Sequence, residues 1–146
     1  MSALADLRAL VREASARLGN PMPPVIVRTG SLEDGTPHIE TDGAHLAYVI
    51  SERGTELVRR AGLTPDDAAF HLMRAATVNI ALAGEAKVRR RGYSRWNWMA
   101  PHIAMMQTMK PGWGARLAQE YRDVLDRHPL SDAERAATFA HLTLPD

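Results

Sequence analysis

The chain has 146 residues, 45% hydrophobic and 24% charged, which is long enough and apolar enough to bury a continuous core and excludes an intrinsically disordered polymer. It contains no cysteine, which excludes disulfides and thiolate zinc sites and fits a reducing cytoplasm as the expected compartment. The net charge of +1 conceals an asymmetry, because residues 1–86 hold 8 Lys/Arg against 11 Asp/Glu and residues 87–146 hold 10 against 6.

The first stretch, "MSALADLRALVREASARLG", carries charge throughout and lacks the apolar run of a signal peptide; no window approaches a membrane span. Leu4, Leu7, Val11, Ala14 and Leu18 fall at helical spacing, with Asp6, Arg8, Arg12, Glu13 and Arg17 on the other face, so an amphipathic helix is expected. Gly19 is a suitable stop, reinforced by Pro21, Pro23 and Pro24. "VIVRT", Val25 to Thr29, reads as a strand, and "PHIET", Pro37 to Thr41, as another. Asp42-Gly43 then predicts a tight type I′ hairpin into "AHLAYVIS", Ala44 to Ser51, since both central positions of that turn need positive φ. A further turn at Arg53-Gly54 leads into "TELVRR".

The pattern changes at Thr64-Pro65-Asp66-Asp67, where a capping hydroxyl, a proline at the first helical position and carboxylates in the first turn open a helix running to about Ala86. Its stripe is Ala69, Leu72, Met73, Ala76, Ile80 and Ala83. The basic connector "KVRRRGYSR" follows, and Ser94 is the expected cap of a third helix, "WNWMAPHIAMMQTM", which Pro101 should kink or split unless it lies in a first turn. After Lys110-Pro111-Gly112, a fourth helix carries Trp113, Leu117, Tyr121, Val124 and Leu125 and stops at His128-Pro129. Ser131-Asp132-Ala133-Glu134 has capping-box spacing for a short fifth helix. The order of elements argues for a single α+β domain over 1–146. Its expected parts are an N-terminal helix, a three- to four-stranded antiparallel meander, then three to four helices packed on one face.

Catalytic chemistry has little to build on. The histidines at 38, 45, 71, 102, 128 and 141 include no pair at metal-ligating spacing on one helix. His38 and His45 flank the Asp-Gly turn and could meet across it, though solvent-facing strand histidines are the plainer reading. Carboxylates at Glu33, Asp34, Glu40, Asp42, Glu52 and Glu56 could supply an acid-base pair, or simply solvate turns. No nucleotide-binding or nucleophile-elbow motif is present, so no catalytic residue, cofactor or metal is expected. "KVRRRGYSRWNW" could pair phosphate attraction with base stacking on Tyr93, Trp96 and Trp98, against a default of a solvated helix end with core tryptophans. Met99, Met105, Met106 and Met109 are either an adaptable surface or core filler, more often the latter.

"DGTPHIETDGAHLAYVISERGTELVRR", then "LTPDD" and "MKPGWGARLAQEYRDVLDRHPL", resemble the bacterial polymorphic-toxin immunity family called immunity protein 63. The likeness runs from about Asp34 to Asp132, and its most specific pieces are Pro37-x-Ile39-Glu40-x-Asp42-Gly43, Tyr48 with Ser51-Glu52-Arg53-Gly54, and Trp113-x-x-Arg116 to His128-Pro129. The resemblance implies a cytosolic antitoxin that binds a cognate toxin, expected to be encoded beside it, with no membrane or cofactor involved. It brings no assigned functional residues.

Two partner surfaces then compete. Glu33, Asp34, Glu40, Asp42 and Glu52, with Arg53, would form an acidic edge that covers a basic toxin surface. Tyr93, Arg95, Trp96 and Trp98 would form an anchor set at the opposite charge pole. In the central strand Leu46, Tyr48 and Ile50 alternate with Ala47, Val49 and Ser51, so both faces are expected to be at least partly covered, and Glu52 is expected to bridge to Arg59 or Arg60. A regulatory domain that binds nucleic acid through 87–98 is the alternative function.

Overall fold

The computed structural model describes residues 2–19, 22 and 24–140. It is α+β: among these residues, helix α1 (Ala3–Leu18) precedes strands β1 (Asp34–Thr41), β2 (Leu46–Glu52) and β3 (Thr55–Leu63), and helices α2 (Pro65–Val88), α3 (Trp96–Met109), α4 (Trp113–Arg127) and α5 (Asp132–Ala137) follow. The chain divides into two compact units, residues up to Ala75 and residues from Ala76 onward, with the division falling inside α2.

In the first unit, the Ser2 side chain caps α1 by accepting the Ala5 N–H at 3.1 Å, and Gly19 ends it at φ 66°. Leu7, Val11 and Ala14 are buried, as the spacing requires, while the Pro21 and Pro23 stop signals lie outside the described residues. The sheet is the antiparallel meander β1-β2-β3. Residues 25–29 are not its fourth strand. "VIVRT" has strand composition, but strands are defined by pairing; its recorded ladder-like bond is Arg28 C=O accepting the Ile39 N–H at 2.8 Å, and Ile26 is 65% exposed.

The turns depart from expectation in an instructive way. Thr41 pairs with Leu46, so Asp42–His45 is a four-residue loop rather than a two-residue turn, and only Gly43 in it takes positive φ. Asp42 is engaged instead as a local cap, its Oδ1 accepting the Ala44 and His45 N–H groups at 3.2 and 2.9 Å. The type I′ geometry sits at the other hairpin: Glu52 pairs with Thr55, and between them Arg53 and Gly54 have φ of 52° and 80°.

β2 is central, with Leu46, Ala47, Tyr48 and Val49 all buried, as the apolar residues on both of its faces predict. Register places Tyr48 beside Ile39 on one face, and Ala47 and Val49 beside Glu40 and His38 on the other. The first half of α2 lies against the Tyr48 face, where the His71 ring sits 5.4 Å from Tyr48. Thr64 caps that helix as expected, its hydroxyl accepting the Asp67 N–H at 3.1 Å.

In the second unit α3 continues as one helix through Pro101, which removes one bond of the ladder without splitting it. Ser94 does not cap it: its hydroxyl lies 2.7 Å from that of Thr138, and Arg95 is the N-cap without a side-chain bond. Met99, Ile103, Met106 and Met109 are core, as are Trp113, Leu117 and Tyr121 of α4. The two helices approach closely at Gly114, where an added Cβ would fall 2.6 Å from Gln107 Cβ. His102 is fully buried and has both ring nitrogens engaged, Nδ1 2.6 Å from the Tyr121 hydroxyl and Nε2 2.9 Å from that of Thr77. Ser131 and Glu134 complete the capping box that opens α5.

Candidate partner-binding surfaces

The acidic candidates lie along β1 and the ends of the β2 ladder, and the sheet separates them. Asp34 is paired in register with Glu52 at one end, while Glu40 and Asp42 lie at the other, about 20 Å away along an extended strand. They form two clusters and not one edge.

At the first end, Glu33 reaches across to the β2-β3 turn: its carbonyl accepts the Arg53 N–H at 3.0 Å and its Oε2 accepts the Gly54 N–H at 2.7 Å. Asp34 turns onto Thr36, accepting its N–H at 2.9 Å, and the Thr36 hydroxyl first and this N–H second hold its carboxyl below the usual carboxylate range. Glu52 and Arg53 are exposed. Among the described residues Glu52 makes no ion pair with Arg59 or Arg60: it closes the turn opposite Thr55, whereas Arg59 and Arg60 lie opposite Val49 and Tyr48, and Arg59 is held by Glu40 and Glu56.

At the second end, Glu40 binds His38 Nε2 at 2.9 Å and Arg59 at 3.1 Å, and Arg59 also holds Glu56 at 2.7 Å. His38 first and Arg59 second pull the Glu40 carboxyl below its ordinary value. His38 is buried on the strand, paired across from Val49, and its Nδ1 has no partner among the described residues; it does not meet His45, which lies in the loop. A groove of about 240 Å³ beside them is rimmed by Glu40, Asp42, His45 and Arg59. Its charges are largely matched within the fold. Among the described residues no group of three or more His, Asp or Glu is arranged to hold a metal ion.

The second candidate set is drawn together, chiefly by structural bonds. Arg95 clamps the start of α5: its backbone N–H and Nε both donate to Glu134 Oε2 at 3.0 and 2.9 Å, and Nη2 reaches Glu134 Oε1 and the Pro129 carbonyl. The guanidinium pulls the Glu134 carboxyl down to about 2. Tyr93 accepts the Trp98 indole N–H at 2.8 Å, and the Arg89 guanidinium covers the Tyr93 ring at 4.9 Å. Trp98 also packs edge-on against Tyr121, and Trp96 is half-buried at the start of α3.

Arg89 itself is held by Glu85, a nearly buried carboxylate that it keeps ionised below its usual range. Its neighbours differ. Lys87, Arg90 and Arg91 are exposed and make no hydrogen bond or ion pair among the described residues. Arg90 and Arg91 line a cleft of about 390 Å³ with Val88, Ala136, Thr138 and Phe139. Val88 and Phe139 are single apolar residues outside any periodic stripe, and the one signal for them in the sequence is an aromatic standing alone after the last helix.

The family comparison gives the class: the chain belongs to the immunity protein 63 family, whose model matches residues 42–123, more than half of the sequence. That match begins inside the first hairpin and ends in α4, so Pro37-x-Ile39-Glu40 and His128-Pro129 lie outside it. No curated protein and no solved structure matches the chain. No helix among the described residues is long and apolar enough to cross a membrane.

Proposed function

We propose that this chain is a non-enzymatic immunity protein that neutralises a cognate polymorphic toxin by direct stoichiometric binding, as one domain acting in the cytoplasm. The family match over 42–123 carries the reading. The site chemistry supports it, because the polar pairs described above cap turns, clamp helices or satisfy the core, and none places a nucleophile beside a base in an open cleft.

The alternative, nucleic-acid binding through 87–98, has weaker support. It needs open aromatic faces beside unpaired cations, yet Tyr93 is covered by Arg89 and tied to Trp98, and Trp98 packs on Tyr121. The experiment is to express the product of the adjacent reading frame with and without this chain, scoring growth and co-purification. Toxicity relieved by the chain, with a stable one-to-one complex, is the expected result. A harmless neighbour that does not bind would remove the reading.

A further inference from the structure

A partner can use only the charge and apolar surface that the fold leaves unengaged. By that standard one region stands out, the cleft lined by Val88, Arg90, Arg91, Ala136, Thr138 and Phe139. Arg90 and Arg91 are unpaired among the described residues, and Val88 and Phe139 remain 50% and 51% exposed.

The exposed ring of Phe139 stands on a fixed backbone. Asn97, buried at 3% exposure, accepts the Phe139 and Ala140 N–H groups on its Oδ1 at 3.0 and 3.1 Å and donates to the Ala137 carbonyl at 3.0 Å. The bond between Ser94 and Thr138 holds the same segment from the side. On the opposite wall, Gly92 at φ 110° turns the basic connector past Ala137, to which an added Cβ would come within 3.8 Å. Three side-chain bonds to a buried asparagine thus hold an aromatic residue in solvent, where it contributes little to the core. Preorganised apolar anchors flanked by arginine are what protein interfaces use for affinity, because little conformational entropy remains to be lost on docking.

We propose that this cleft is the docking point for the cognate toxin, and that the toxin presents an acidic segment carrying a large apolar side chain. The unpaired Arg90 and Arg91, with Lys87 in the last turn of α2, select an acidic partner, and Val88 and Phe139 receive the apolar group. A nucleic acid would pair with the arginines and stack on Phe139 but leave the aliphatic Val88 unused, whereas an acidic segment with an apolar side chain uses the whole lining. This proposal rests on the immunity reading above and adds the surface and the partner's chemistry to it.

The test measures affinity for the purified toxin of the adjacent frame by calorimetry, comparing the wild-type chain with Arg90→Glu/Arg91→Glu, with Phe139→Ala and with Glu52→Lys as a control at the acidic pole. Circular dichroism confirms folding, and Arg90→Ser/Arg91→Ser replaces the reversal if that variant fails to fold. The expected result is a loss of about 100-fold for the arginine pair, about 10-fold or more for Phe139→Ala, and little change for Glu52→Lys. Wild-type affinity in the arginine and phenylalanine variants would overturn the proposal while leaving the immunity reading intact. A wild-type chain that neither binds nor rescues would remove both. Two further outcomes also overturn it: binding of a labelled single-stranded 20-nucleotide probe lost in the arginine variant, which gives the cleft to nucleic acid, and a dimer dissolved by Phe139→Ala, which gives it to a second copy.

Discussion

The hairpin carboxylates and the basic connector carry comparable charge in the sequence and very different charge in the folded chain. Of the acidic set, Glu33 secures a turn, Asp34 and Asp42 cap their own loops, Glu40 is shared between His38 and Arg59, and Glu52 alone makes no side-chain bond among the described residues. In the basic set, Arg89 and Arg95 are bound to carboxylates, but Arg90 and Arg91 are not bound by any described residue. A count of charges measures a potential at long range. Which charges can form new contacts depends on which ones the fold has already satisfied, and partner selection belongs to that smaller number.

The largest expected effect is at the residue that most resembles an interface anchor and is most deeply built into the fold. Arg95→Ala removes two side-chain donors from Glu134 and one from the Pro129 carbonyl, and we expect it to cost about 2 kcal/mol at neutral pH, read as a fall of several degrees in Tm. The bond to Glu134 from the backbone N–H survives the substitution, so Glu134 is not left wholly unpaired. Acid sharpens the point. The Glu134 carboxyl is lowered from 4.5 to about 2, so its contribution is complete above about pH 4.5 and is lost as pH falls toward about 2. The Tm gap between wild type and Arg95→Ala should therefore narrow over that window. A gap that stays constant through it would mean that the clamp is not what Arg95 contributes.

A smaller effect is expected at the acidic pole. Asp42→Ala removes the acceptor of the Ala44 and His45 N–H groups, whose pull, His45 first, holds the Asp42 carboxyl below its ordinary value. Hydrogen exchange of those two amides should accelerate, with a fall in Tm less than that of Arg95→Ala, and Asp42→Asn should restore most of the protection because it keeps an acceptor oxygen. If Asp42→Ala leaves both amides protected, Asp42 is free for a partner after all and the contrast between the poles weakens.

Much of this organisation was legible in the sequence, and apart from the Asp42-Gly43 turn, which Asp42 itself reshapes by accepting the Ala44 and His45 N–H groups, the failures share a cause. Thr64 and Ser131 hydroxyls, the Arg53-Gly54 turn and the apolar spacing of α1 and α4 are local signals, decided within a few residues, and each predicts what forms. The other misreadings needed a distant partner to be known. "VIVRT" has strand composition without a ladder, Ser94 turns to Thr138 instead of capping, and Glu52 lacks its bridge because Arg59 lies opposite Val49 and is held by Glu40 of β1. For the same reason the surface residues proposed from sequence could be located on elements, while their engagement could not. Phe139 acquires its place from Asn97, 42 residues earlier in the chain, and no local pattern announces that bond.

The smallest expected effect on stability is the one that separates the two poles most cleanly. Arg90→Ala and Arg91→Ala, singly or together, delete guanidinium groups that hold nothing among the described residues, so unfolding midpoints in denaturant should stay within about 0.5 kcal/mol of wild type. The paired arginines behave oppositely, since Arg89 holds the nearly buried Glu85 and covers Tyr93, and its loss leaves that carboxylate without its cation. Arg89→Ala should therefore destabilise, although it lies one position away on the same connector. Equal destabilisation at all three arginines would show that Arg90 and Arg91 also serve the fold, and the basic pole would then offer a partner no more unengaged charge than the acidic one.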